Sequence, residues 1–175
     1  VNRLFNVQFS NQELQRLALR VGSDVPFFLG SAAAFVTGRG EFFKDLPPRT
    51  DCFGILICVD AKSSTPDAYC MLDARRGQSQ MSTAAVSGEN AVAQYGMPVS
   101  MWQFVNDFQA VLEERYPVIA EAVRDLYERG ASFARMTGSG SAVFGLFDTE
   151  NATAEAVSCL KKKWGWCKPF LLLAS

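Results

Sequence analysis

Ser132-Phe133-Ala134-Arg135-Met136-Thr137-Gly138-Ser139-Gly140-Ser141-Ala142-Val143-Phe144-Gly145-Leu146-Phe147 is two short apolar runs around a glycine–serine turn. Bulky residues either side of Gly138-Ser139-Gly140-Ser141 predict a strand over 132–136 and a returning strand over 142–147. Upstream, Phe53-Gly54-Ile55-Leu56-Ile57-Cys58-Val59 is a continuous apolar run of strand length, as expected of a strand buried on both faces. Downstream, Asp148 or Thr149 caps a helix over 151–163, and 166–173 reads as a closing strand. Thr65-Pro66 reads as an N-cap with proline in the first helical position, launching a helix toward Arg76. Met101, Phe104, Val105, Phe108, Val111 and Leu112 recur at helical spacing, and the stripe of Met101, Phe104 and Phe108 is expected in the core. Tyr116-Pro117 breaks that helix, and a second runs over 118–129 until Gly130 stops it. From Phe53 the order is strand, helices, strand, strand, helix, strand. This is an α+β fold, the split β-α-β arrangement of ferredoxin-like domains with extra helix in the first crossover.

Ahead of Pro47-Pro48 the pattern is different. Ser10 and Glu13 make a capping-box signal for a helix over 11–20 that buries Leu14, Leu17 and Ala18 and stops at Gly22. Pro26 excludes a regular helix over Ser23-Asp24-Val25-Pro26-Phe27-Phe28-Leu29 and biases Val25 toward extended backbone. A hairpin is expected over 32–37 and 41–44 around Gly38-Arg39-Gly40. This segment is too small to stand alone, so the chain is divided at 1–48 and 49–175. Gly77 to Gly96 is small and polar, and its periodicity does not decide between loop and short helix. The chain opens on Val1-Asn2-Arg3-Leu4-Phe5, which reads as mid-domain sequence and leads to the expectation of a C-terminal portion of a longer protein.

Composition narrows the chemistry. With 49% hydrophobic residues in 175, the chain can bury a core without a structural metal or disulfides. Seventeen basic against 18 acidic residues lack the charge excess of a dedicated nucleic-acid binder. There is no histidine, which excludes a Ser-His-Asp triad, a Cys-His pair and histidine metal ligation within these residues. The five cysteines form no CxxC pair, which favours reduced thiols and a cytoplasmic setting. No run reaches the ~20 apolar residues of a membrane span.

Three places could carry chemistry. The glycines of 137–141 let backbone amides approach an anion, as in a phosphate nest, although a hairpin turn alone also calls for glycine. Asp24 is a carboxylate in an otherwise apolar, proline-stiffened segment; catalytic carboxylates are held in such surroundings, and turn-capping aspartates are too. Ser63-Ser64-Thr65 opens a helix whose free amides suit a phosphate, and Tyr69 one turn on offers a flat ring, though taken alone the residues favour an ordinary capped helix with a core tyrosine.

Taken in order, Gly22-Ser23-Asp24-Val25-Pro26-Phe27-Phe28, Ser64-Thr65-Pro66-Asp67-Ala68-Tyr69, Asn106-Asp107-Phe108 and Met136 to Phe144 resemble the C-terminal two-thirds of a small-molecule kinase of the GHMP superfamily. The resemblance is closest to members acting on 4-diphosphocytidyl-2-C-methyl-D-erythritol in non-mevalonate isoprenoid precursor synthesis. It implies ATP and Mg2+, Asp24 as catalytic base, and Gly138, Ser139 and Gly140 beside the nucleotide phosphates. It also implies Thr65 and Tyr69 against the substrate, with the ring stacked on cytosine. No membrane or nucleic-acid partner is expected. The superfamily's glycine- and serine-rich ATP loop and its N-terminal lysine have no counterpart in these residues. The missing N-terminal segment of the same protein is therefore the expected partner, and the chain alone is expected to be inactive. Another GHMP kinase of homoserine or mevalonate type, or a non-catalytic ferredoxin-like ligand-binding module, is the alternative.

Overall fold

Ser10 starts the first helix. Its Oγ accepts from the Glu13 amide at 3.3 Å while the Glu13 carboxylate accepts from the Ser10 amide at 2.8 Å, satisfying two orphan donors reciprocally. Helix α1 then spans Asn11–Val21. The Ser10 hydrogen bonds hold the Glu13 carboxyl below its ordinary value. Ala18 is buried, whereas Leu17, expected inside, is 42% exposed. Val25 is not extended: Val25–Leu29 closes into a 3-10 turn with proline in its first positions, where the ring's fixed φ suits a helical turn. Strands β1 (Ala34–Thr37) and β2 (Phe42–Asp45) pair antiparallel with Thr37 opposite Phe42, forming the expected hairpin. The computed structural model describes residues 6–78 and 88–174, so the opening pentapeptide and part of the polar stretch after Gly77 lie outside the described residues. Two compact units result, Val1–Arg49 with Leu173–Ser175, and Thr50–Leu172.

In the larger unit the apolar run becomes β3 (Phe53–Cys58), followed by α2 (Thr65–Gln78), α3 (Gly88–Tyr95), α4 (Asp107–Arg115) and α5 (Pro117–Glu128). Then come β4 (Phe133–Met136), β5 (Ala142–Phe147), α6 (Glu150–Leu160) and β6 (Cys167–Leu171). The four strands form one antiparallel sheet in the order β4-β5-β3-β6, which is the ferredoxin-like topology with α2 to α5 in the first crossover. Strand alternation sorts the side chains between two clusters. Ile55, Ile57, Ala134, Met136, Val143 and Phe147 meet buried residues of α2, α4, α5 and α6. Phe133, Phe144, Leu146 and Phe170 join a second cluster with Cys52, Val99, Trp102 and Phe104.

Two helix starts differ from the sequence pattern. Ser64, not Thr65, caps α2: its carbonyl accepts from the Ala68 amide at 3.0 Å and its Oγ from the Asp67 amide at 3.2 Å, so Pro66 sits second. The apolar stripe beginning at Met101 is not one helix, because Asn106 caps α4 by accepting from the Phe108 amide at 3.0 Å. Residues 102–106 run outside any helix, Met101 is 58% exposed, and Phe104 enters the second cluster. Of Met101, Phe104 and Phe108, only Phe108 packs against the main core, beside the buried Val111 and Leu112. None of the five cysteines is in a disulfide, and Cys52 and Cys167 are buried; burial raises the Cys167 thiol pKa. Among the described residues no helix is long and apolar enough to cross a membrane.

Candidate functional site

The turn between β4 and β5 carries the geometry that matters. The Gly140 amide donates to the Thr137 carbonyl at 3.2 Å, with Gly138 at φ +59° and Gly140 at φ +87°. Positive φ at the first central position is the mark of a type II′ turn and explains glycine at 138. A side chain at Gly140 would also stand 3.1 Å from Met136 Sδ and 3.3 Å from Leu112 Cδ1. Around the turn the carbonyls are held by the protein. Asn106 Nδ2 donates to the Met136 and Gly138 oxygens, both at 2.9 Å, and Ser63 Oγ reaches the Ser139 oxygen at 3.4 Å. In a trans peptide the N–H points opposite to the C=O. With the Thr137 carbonyl turned into the turn and the Gly138 carbonyl turned to Asn106, the amides of Gly138 and Ser139 are directed away from those partners. Backbone amides turned away from protein partners in this way are the groups a phosphate nest uses.

Three of the residues singled out in the sequence meet here. Thr65 Oγ1 and Ser139 Oγ lie 2.8 Å apart, so the first residue of α2 touches the turn between Gly138 and Gly140. Tyr69, one helical turn later, packs its ring against Phe108 at 4.8 Å between centroids and remains 54% exposed; it is not a core tyrosine. Helix α2 is tied to α4 by Arg76–Asp107 and Arg75–Glu114 ion pairs, each at 2.9 Å. Asn106 and Gln109 are the residues that sequence reasoning left without a role. Gln109 Oε1 accepts from the Met136 amide at 2.9 Å and its Nε2 donates to Glu113 at 2.7 Å. The Asn106-Asp107-Phe108 motif pointed at the region, but nothing in its spacing names a partner 30 residues away.

Asp24 belongs to the smaller unit. It is exposed and precedes the 3-10 turn with φ −90° and ψ −13°, making no side-chain cap hydrogen bond. The buried setting suggested by its apolar neighbours is thereby corrected, whereas the alternative of a backbone cap holds: Asp24 is the N-cap residue of a tight turn that presents its side chain rather than covering it. Its backbone is braced within the unit, since Gly40, buried at φ +111°, faces the Ser23 carbonyl so closely that a Cβ would lie 2.2 Å from that oxygen.

Residues 96–165, from the end of α3 to just beyond α6, match the family model described as GHMP kinases C terminal. These residues form a GHMP kinase C-terminal domain. Over 172 residues the chain is 39% identical to a Treponema pallidum protein named 4-diphosphocytidyl-2-C-methyl-D-erythritol kinase, covering 95% of this chain and 59% of that one. A protein of the same name from Parabacteroides distasonis is 37% identical over 152 residues, covering 85% and 52%. A crystal structure of 4-(cytidine 5'-diphospho)-2C-methyl-D-erythritol kinase shares the fold with a TM-score of 0.71 at 24% identity, over 96% of this chain and 59% of that one. The chain thus spans little more than half the length of these relatives. The GHMP fold accounts for the arrangement: β3, the β4–β5 turn and the crossover helices converge at one end of the sheet, where the Thr65–Ser139 contact is made.

Proposed function

We propose that this chain is part of a kinase that transfers the terminal phosphoryl group of ATP to the 2-hydroxyl of 4-diphosphocytidyl-2-C-methyl-D-erythritol. The observation carrying this reading is the 2.8 Å contact between Thr65 and Ser139, which sets the helix bearing Tyr69 beside a turn whose amides suit phosphate. The names of the relatives support the substrate, and an exposed tyrosine suits a pyrimidine ring better than it suits a small amino or hydroxy acid. In this reading residues 1–48 are the remnant of an N-terminal domain, 49–175 form the C-terminal domain, and the setting is cytoplasmic, in keeping with five cysteines outside any disulfide.

The roles follow from the chemistry. Phosphoryl transfer needs groups positioned and charge stabilised more than it needs covalent help. Gly138 and Ser139 receive phosphate oxygens of ATP on their amides, Gly140 lies beside those phosphates and closes the turn through its own amide, and Thr65 and Tyr69 hold the cytidylyl alcohol. Asp24 accepts the hydroxyl proton as the alcohol oxygen bonds to the γ-phosphorus and the bond from that phosphorus to the bridging oxygen breaks, releasing ADP. A carboxylate is a weak base toward an alcohol, so its orientation matters more than its basicity. Among the described residues no three His, Cys, Asp or Glu side chains stand together as metal ligands. The Mg2+ expected in this reading would arrive on the ATP phosphates, since this ion is commonly held by substrate phosphates together with one or two carboxylates. When bound, the ion neutralises phosphate charge.

The test is ADP release by the full polypeptide carrying these residues, with the cytidylyl alcohol, homoserine and mevalonate offered in turn. Turnover of the first alone is expected, and Asp24→Asn should reduce it by roughly 10²-fold or more. Equal turnover of homoserine or mevalonate overturns the substrate assignment. Turnover by the 175 residues alone overturns the expectation that part of the donor site lies outside them.

A further inference from the structure

We propose that Asn106 is the positioning residue of the glycine turn, holding its amides toward the phosphates of ATP; this rests on the reading of that turn as the donor-phosphate cradle. One side chain makes three bonds at once. Oδ1 accepts from the Phe108 amide at 3.0 Å, and Nδ2 donates at 2.9 Å to the carbonyls of both Met136 and Gly138. The partners fix the amide's orientation, because the reversed rotamer would set an oxygen against two carbonyls and an NH2 group against an N–H. No other side chain of this size offers one acceptor and two donors. Aspartate and serine can cap the helix, but aspartate has no donor and serine only one.

The two carbonyls are the ones that decide the turn's aim. The Gly138–Ser139 peptide can flip most easily where glycine imposes no side chain, and nothing lies within 4 Å of a Cβ built on Gly138. Flipping it would point an oxygen, instead of the Ser139 amide, at an incoming phosphate. The Asn106 bond to the Gly138 oxygen opposes that flip, and its bond to the Met136 oxygen ties the end of β4 to the first turn of α4. Gln109 adds a further tie at the Met136 amide. The cradle is therefore aimed from a helix start some thirty residues earlier in the chain.

The experiment compares Asn106→Asp and Asn106→Ser in the full polypeptide with the unaltered protein. Thermal melting, ATP affinity by calorimetry, and KM for ATP and for the cytidylyl alcohol are read for each. Both variants keep a capping oxygen; Asn106→Ser should melt close to the unaltered protein, and Asn106→Asp, which sets a carboxylate oxygen against two carbonyls, somewhat lower but still folded. Loss of carbonyl hydrogen bonds should weaken ATP affinity and raise its KM by roughly ten- to a hundredfold, with KM for the alcohol within about twofold, as expected of a donor-side change. Folded variants that bind ATP as the unaltered protein does overturn the proposal, as does loss of folding in both, which would mark Asn106 as a structural residue. Failure of the unaltered polypeptide to turn over the cytidylyl alcohol while still binding ATP would overturn the assigned reaction alone. Failure to bind ATP at all would overturn both.

Discussion

Gly40→Ala should slow the proposed reaction far more than it destabilises the fold. A Cβ at position 40 would lie 2.2 Å from the Ser23 carbonyl oxygen and 3.0 Å from its carbon, with φ at +111°. The obstacle is backbone, not the end of a flexible side chain, so it cannot rotate away. Restoring even the 3.0 Å that real Cβ contacts respect shifts Ser23 or the hairpin by about 0.8 Å, and Asp24 is the next residue. A displacement near 1 Å at a reacting group costs on the order of 10² in rate, so kcat should fall about a hundredfold with KM values little changed. Gly38→Ala supplies the control. It carries similar positive-φ strain, φ +73°, but the atoms nearest its Cβ are those of the Glu41 carboxylate, the end of a side chain that can swing aside. Each variant should lose about 1–2 kcal/mol of stability from the backbone strain. The assay couples ADP release to NADH oxidation in the full polypeptide, with melting followed in parallel. If folded Gly40→Ala and Gly38→Ala turn over alike, the bracing of Asp24 by the hairpin is refuted.

Removing the two hydroxyls of the Thr65–Ser139 contact singly and together should give a coupling of about 0.5–1.5 kcal/mol in ATP and alcohol affinity; strictly additive losses would show that the contact transmits nothing. Tyr69→Ala should weaken cytidylyl-alcohol binding by about 1–3 kcal/mol, the usual worth of a base on an aromatic ring, while Tyr69→Phe stays within about twofold; equal binding by all three forms removes the stacking role. Lys163 donates to Asp125 and Glu121 at 2.7 Å, and the Asp125 bond foremost raises its pKa above 10.5. The protonated form is thus favoured by folding. Its stabilising contribution is fully present below pH 10.5 and fades as pH rises through the raised value, so urea unfolding of Lys163→Met should lack part of the alkaline decline seen in the unaltered protein.

The ferredoxin-like sheet was legible because each strand announces itself locally. The apolar run at 53–58, the glycine turn at 138–141 and the capped helix at 150–160 each carry a short-range signal, and pairing them leaves little topological freedom. The region from Met101 to Leu112 was misread for a physical reason. Its apolar residues fit a helical period, yet Asn106 has a better use as a cap than as a helix interior residue, and capping at 106 cuts the period in two. Trp102 and Phe104 then reach the opposite face of the sheet, where they pack with Phe133 at ring separations of 5.1 and 5.5 Å for Trp102–Phe104 and Trp102–Phe133. Tertiary demand for aromatic cover on that face outweighed the local pattern.

The candidate site shows the same division between what is local and what is not. Glycine at 138 and 140 is readable from the chain because glycine adopts those positive φ values at the least cost. Which way the freed peptides point is not readable, since a glycine turn permits both orientations. That choice is made by Asn106 from the start of α4 and by Ser63 from the loop before α2, while the Thr65 hydroxyl fixes the Ser139 side chain. Three side chains from two segments, separated by some thirty to seventy-six residues from the turn, remove a freedom that the turn's own sequence creates. A motif of this kind therefore advertises the capacity to bind phosphate, and the polar side chains that grip its carbonyls determine whether that capacity is used; the sharper place to look for loss of function is Asn106, not a second substitution among the glycines.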